Sequence, residues 1–248
     1  MNQDLGELFD EWPYEPGQIN VRIIKGRDGD PRIQIRLDLG ILQIFVDGRP
    51  DGLRPHGCDS LLEFFEAQAH ESQETPDTPF KISPDDCLAL REEAVQYYHR
   101  YMALLALEDF EGVVRDTTRN LRVLDLCTLY AEAEADQNML EQYRAYITMM
   151  RARAMASQAI KDEEPKAAIL AIDEGLEALR QHFADTGETG LFDGSNEVRM
   201  LRGMRDALVP KLPVSQKSEL HRRLDNALEQ ENYELAAILR DELRMLQK

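Results

Sequence analysis

The side chains best suited to move a proton near neutral pH are the five histidines, His56, His70, His99, His182 and His221. They are scattered, and none has a second histidine or a cysteine at the spacing that a metal ion requires. Cys58, Cys87 and Cys127 are equally far apart and form no C-x-x-C pair, so neither a zinc knuckle nor a disulfide framework is indicated. Each reads as a buried, reduced thiol acting as a small hydrophobe. The phosphate-cradling patterns G-x-x-x-x-G-K-[ST] and G-x-G-x-x-G are absent, as are H-E-x-x-H and G-x-S-x-G. Asp28-Gly29-Asp30 has the opening spacing of a calcium loop, but Arg32 stands where a third oxygen ligand belongs. Residues 49–56, R-P-D-G-L-R-P-H, are the most site-like loop, placing two arginines and a histidine where an anion can bind; a solvated turn is the favoured reading. These residue types predict no catalytic residues, no metal and no cofactor.

The bulk numbers narrow the partners. A net charge of −18 repels a polyanion, which argues against direct contact with nucleic acid. The charge is uneven: residues 1–80 carry 7 Lys and Arg against 16 Asp and Glu, whereas residues 215–248 carry 6 against 7. No apolar run approaches the roughly 18 residues that cross a bilayer, and the start lacks the basic and apolar regions of a secretory signal. The expectation is a cytoplasmic chain with no membrane contact. Hydrophobic residues make up 43% of it, enough for a sizeable core.

The elements that position these residues follow from periodicity. Residues 1–18 are acidic and punctuated by proline, and read as an irregular arm tacked down by Trp12 and Tyr14, with contact to a partner as the alternative. Ile19, Val21 and Ile23 alternate with polar neighbours, as do Ile33, Ile35 and Leu37, and then Leu42, Ile44 and Val46. That period of two predicts a three-stranded antiparallel meander closed by Asp28-Gly29-Asp30 and Leu39-Gly40. A helix near 60–69 is expected to cover its apolar face, so residues 19–69 form one unit. Residues 70–82 have the composition of a linker.

From residue 83 to 210 the pattern is helical. Ser83-Pro84-Asp85-Asp86 is a strong helix start: a capping serine, proline at the first helical position, then acids at the positive end of the dipole. Four apolar stripes follow, through Cys87–Leu104, Phe110–Leu124, Leu140–Ala154 and Ala168–Phe183, joined by short breaks that predict antiparallel neighbours. Residues 184–196 form the largest polar loop, and a further helix through Val198, Leu201 and Leu208 stops at Pro210. The fold class expected is mainly α, with a small N-terminal antiparallel sheet. Tyr97, Tyr98, Tyr101, Tyr143 and Tyr146 cluster on these helices; core packing is the favoured reading, with a peptide groove as the alternative.

Val113-Val114 and Ala168-Ile169 open equivalent helices 55 residues apart. The arrangement resembles tetratricopeptide (TPR) hairpins over residues 84–183. It departs from that family in its period, which is usually about 34, and in Arg100 and Tyr101, which replace the leucine and small residue of the first helix. A generic helical bundle accommodates the stripes equally well.

The tail is more specific. Leu220, Leu224, Ala227 and Leu228 make one face of a helix, and Leu235, Leu239, Leu243 and Leu246 make one face of a second. Asn232 and Glu234 suit the second helix's N-terminus. Ala236 and Ala237 permit close approach, and Tyr233 can plug the open end. With the turn Glu231-Asn232-Tyr233-Glu234 and the pair Arg240-Asp241, this spacing resembles the UVR motif of the bacterial excision-repair proteins UvrB and UvrC. The resemblance covers residues 215–248. It implies a helical hairpin that pairs with another such hairpin, self-associates or docks on a protein partner, as in repair nucleases, Clp-type unfoldases and activators of protein-arginine kinases. The residues it implicates in partner binding are Leu220, Leu224, Tyr233, Ala236, Ala237, Arg240, Asp241 and Leu243. The function expected is that of a non-catalytic adaptor. The alternatives are a regulatory cofactor of an unfoldase or protein kinase, and an accessory factor in excision repair.

Overall fold

The computed structural model describes residues 4–74, 80–208, 224–226, 228 and 240. The chain divides into two compact units, Met1–Arg205 and Asp206–Lys248. The fold is α+β and mainly helical.

Alternating β-branched residues form the strands they predict: β1 (Asn20–Lys25), β2 (Pro31–Arg36) and β3 (Ile41–Phe45), an antiparallel meander in that order. The register pairs Val21 with Ile35, Ile23 with Ile33, Ile33 with Ile44 and Ile35 with Leu42, so the apolar side chains share one face. Ile33 and Ile35 are buried there at the centre of the sheet, whereas Ile23 on the edge strand is 57% exposed. The opposite face carries Arg22, Arg32, Gln34, Arg36 and Gln43. Arg22 donates to Gln34 at 2.9 Å and Gln34 to Gln43 at 2.9 Å, a side-chain ladder across all three strands.

The arm is not irregular throughout. Residues Gly6–Glu11 form a short helix, α1, started by an Asp4 carboxylate that accepts from the Gly6 amide. The turn matters because it brings Phe9 and Trp12, three residues apart, onto one side. Trp12 lies under the Arg22 guanidinium at 4.1 Å and Phe9 under Arg36 at 4.0 Å. Trp12 therefore fastens the arm as expected, Phe9 joins it, and Tyr14 is exposed.

Helix α2 (Leu61–Glu74) does not serve as the sheet's cover. Its Leu62 and Phe65 join a core with Ile82, Leu90, Leu124 and Ile147, none of which belongs to the sheet. Strand β2 instead packs against α3 (Pro84–Ala106). Helix α2 reaches five residues, 70–74, into what composition marks as linker, and Ile82, just before α3, is fully buried and bridges to Ala131. Residues 75–79 lie outside the described residues.

The four stripes become α3, α4 (Phe110–Tyr130), α6 (Arg144–Lys161) and α7 (Pro165–Asp185), with a short α5 (Glu134–Met139) between the second and third. Each long helix packs on its predecessor. Arg144 at the start of α6 pairs with Asp125 late in α4, and Lys161 at its end reaches the Glu108 carbonyl before α4, so these two run antiparallel. A Cβ on Gly175 would stand 2.4 Å from that of Ala152, which places α6 and α7 in backbone-close contact. The 184–196 loop contains a 3-10 turn over Thr189–Gly194 that buries Phe192 against Phe183. Helix α8 (Asn196–Leu208) follows.

The two hairpins α3–α4 and α6–α7 share one turn. The amide of Asp109 donates to the Leu104 carbonyl and that of Glu164 to Ala159; Leu107 donates to Ala103 and Asp162 to Gln158. Each pair is separated by the same 55 residues that separate Val113 from Ala168, both of which are fully buried.

Candidate interaction site

Buried charged side chains hold the body together. Arg100 is 1% exposed and makes a bidentate pair with Asp116, at 2.7 Å and 2.8 Å. Its remaining amino group donates to the carbonyls of Gly48, at 2.7 Å, and Phe45, at 3.3 Å. One side chain thus ties α3 to α4 and both to the exit of the sheet. A leucine at this position would leave those carbonyls without that donor. Arg115 reinforces the tie through Asp116 and the Val46 carbonyl.

Glu93, also on α3, is fully buried. It accepts from the Leu61 amide at 2.9 Å and pairs with Arg119 and, at 2.9 Å, with Arg49. The carboxylate therefore meets the positive end of α2 and two guanidinium groups, partners enough to hold a charge away from water. The guanidinium groups of Arg100 and Arg119 both lie against the Tyr97 ring, at 4.7 Å and 4.1 Å from its centroid. Burial pushes its phenol above the ordinary value.

This settles residues 49–56. Residues 51–54 and 56 are exposed, as a solvated turn requires, but Arg49 is half-buried against Glu93 and also pairs with Asp51, while Arg54 pairs with Asp59. Both arginines are neutralised, so the loop has no free positive pair for an anion. His56 adopts φ of 52° and stacks on Phe64 at 4.0 Å. Asp28 likewise closes its own turn, accepting from the Asp30 amide at 3.1 Å and pairing with Arg32. Its carboxyl is held below the usual range first by that backbone hydrogen bond. No group of three or more potential metal ligands occurs among the described residues.

The tyrosines divide. Tyr97 faces the buried charges, and Tyr101 is buried with its phenol pushed up by desolvation. Tyr98, His99, Tyr143 and Tyr146 line a groove of about 550 Å³ between α3 and α6, floored by Leu124 of α4. Tyr98 and Tyr143 remain 39% and 50% exposed. No carboxylate lines it, and Arg91 is its one charged wall among the described residues. Such a surface can take aliphatic or aromatic side chains. Sequence periodicity puts these tyrosines on helices, but only the separation of α3 from α6 turns a core stripe into a groove.

Cys87 and Cys127 are buried, with thiols pushed by desolvation up to about 11 and about 12. Cys58 is only half-buried, which corrects the expectation of three buried thiols.

Of the residues implicated in the tail, Leu224 and Arg240 are described, and both are helical. Leu224 is half-buried and Arg240 exposed; between them, helical Leu228 is 48% exposed. Leu220, Tyr233, Ala236, Ala237, Asp241 and Leu243 lie outside the described residues. No described helix is long and apolar enough to cross a membrane.

No curated protein and no solved structure matches the chain. A known family does match the tail: residues 215–248 carry the UVR motif, described as the UvrB/uvrC motif.

Proposed function

We infer that this protein is a non-catalytic adaptor of the cytoplasm that engages a protein partner through residues 215–248. The match of those residues to the UVR motif carries the reading. Physical size supports it. A hairpin of roughly 30 residues is below the length at which a chain holds a core unaided, so its apolar surface needs a second surface. The near balance of charge in the tail, on a chain of −18, lets it approach a partner of either sign.

The regulatory reading, in which the tail binds an unfoldase or kinase and the body alters its turnover, gains support from the apolar groove between α3 and α6, a second unfilled surface on the body. Direct work on DNA is disfavoured by the chain's net charge.

The test is partner capture from a bacterial lysate with the full chain beside the Leu224→Asp/Leu243→Asp variant. A protein held by the first and lost by the second is the expected result. Identical captures by both would remove the tail from the argument. Adding the captured protein's assay then separates adaptor from regulator: unchanged turnover rejects regulation.

A further inference from the structure

The N-terminal arm and the sheet it covers have opposite charge. Residues 4–18 hold five carboxylates and no Lys or Arg, while residues 20–36 hold five Lys and Arg against two Asp. In a chain of −18, the β1–β2 hairpin is a basic island. Its polar face carries Arg22, Arg32 and Arg36, and the arm lies across it, with Arg36 only 6% exposed.

The way the arm is held is unusual for a structural element. Helix α1 buries none of its residues. Its attachment consists of Phe9 under Arg36, Trp12 under Arg22, an Arg36 hydrogen bond to the Trp12 carbonyl at 3.0 Å, and Asn20 donating to the Glu15 carbonyl at 2.9 Å. Arg22 and Arg36 form no ion pair among the described residues, although Glu7, Asp10 and Glu11 are close in the chain and exposed. Elsewhere in the molecule Arg49, Arg100, Arg115, Arg119 and Arg144 all have carboxylate partners. Arg22 is thus stacked on a ring and bonded to Gln34 but paired with no carboxylate, whereas Arg36 donates to the carbonyls of Trp12, Leu37, Asp38 and Gly40. Each ring contact contributes about 0.5–2 kcal/mol, so the arm is held by little.

We propose that the arginine face of the sheet is a binding surface for an acidic protein segment bearing two aromatic residues one helical turn apart, and that residues 5–16 occupy it as an internal competitor. The arm shows the chemistry the face accepts: rings on the guanidinium planes, peptide carbonyls on their edges, negative charge around them. A partner that adds a carboxylate within reach of Arg22 makes the charge-assisted bond the arm lacks. Displacement costs only the arm's weak contacts, and the apparent affinity of any partner is reduced by the fraction of molecules with the arm in place. This site is independent of the tail, and its failure or success leaves the reading of residues 215–248 untouched.

The test uses the full chain and a fluorescein-labelled peptide of residues 4–16. Binding, read by anisotropy, is expected to be about tenfold or more tighter to the Phe9→Ser/Trp12→Ser variant than to the wild type, because loss of two ring contacts frees the face. It should weaken with salt and be lost when Arg22→Ala is added, a half-buried position whose removal spares the Gln34–Gln43 bond. Trp12 is the chain's single tryptophan. A peptide with phenylalanine in its place should therefore red-shift the wild-type protein's own emission as the arm is displaced, a readout that needs no variant. Equal binding to both proteins, binding that survives Arg22→Ala, or no binding with an unshifted tryptophan would overturn the proposal. So would a single-stranded oligonucleotide that binds the arm variant where the peptide does not, since the face would then serve nucleic acid.

Discussion

Glu108 and Glu163 occupy the same left-handed corner of two successive helical hairpins, with φ of 58° and 60°. Each sits two residues past the end of a long helix and two before the start of the next, where helices ordinarily end on glycine. The two corners touch through Lys161, whose ammonium donates to the Glu108 carbonyl. The repeat visible in the sequence is therefore a repeat of turn geometry.

A left-handed non-glycine residue costs roughly 1–2 kcal/mol, and glycine returns part of that gain as extra freedom of the unfolded chain, roughly 0.4–1 kcal/mol. Glu108→Gly and Glu163→Gly should each raise unfolding free energy by about 0.5–1 kcal/mol. Urea denaturation measures it, and a loss of stability in both would show that the glutamates hold their corners by other contacts.

Asp116→Asn leaves Arg100 buried without its counter-charge, and an amide NH2 replaces one of the two accepting oxygens. Removing one member of a buried pair costs about 3–5 kcal/mol, while replacing both with apolar residues of similar volume is often neutral. Arg100→Met/Asp116→Leu should recover much of the loss, less the bonds to Gly48 and Phe45. If the double variant is as unstable as Asp116→Asn, the pair's value lies in those carbonyl bonds.

Thiol chemistry should divide by burial. At pH 8 a disulfide reagent should modify Cys58 in the native protein and reach Cys87 and Cys127 only on unfolding, since their thiols are pushed up to about 11 and about 12. Three thiols reacting at one native rate contradicts the packing of α3 on α4.

Burial lowers the His99 pKa from its ordinary 6.5. The unfolded chain then takes up a proton before the folded one, so its contribution to stability is complete above pH 6.5 and declines as pH falls through 6.5 toward the folded value. The wild type should lose more melting temperature between pH 7.5 and 5.5 than His99→Gln does. Parallel losses would mean that the imidazole is not desolvated in the groove.

The sequence alone determined the elements and their class. Strand alternation, the Ser83-Pro84 start and the four helical stripes are local signals, because a pleat repeats every two residues and a helix every 3.6. The tail motif was legible for the same reason: its spacing lies within residues 215–248. The misread residues are those whose meaning depends on distant ones. Arg49 looked solvated because Glu93, 44 positions away in the chain, is invisible to any local window. Arg100 looked like a defect in a helical repeat because its acceptors are Asp116 and two carbonyls some fifty residues upstream. Phe9 and Trp12 looked like part of an irregular arm because their binding site is on strands that follow. The groove exists only because α3 and α6 stand apart over α4. Periodicity decides which face of an element is apolar; only tertiary packing decides which charges are desolvated together and which apolar faces are left unfilled, since both depend on residues that the chain brings together from far apart.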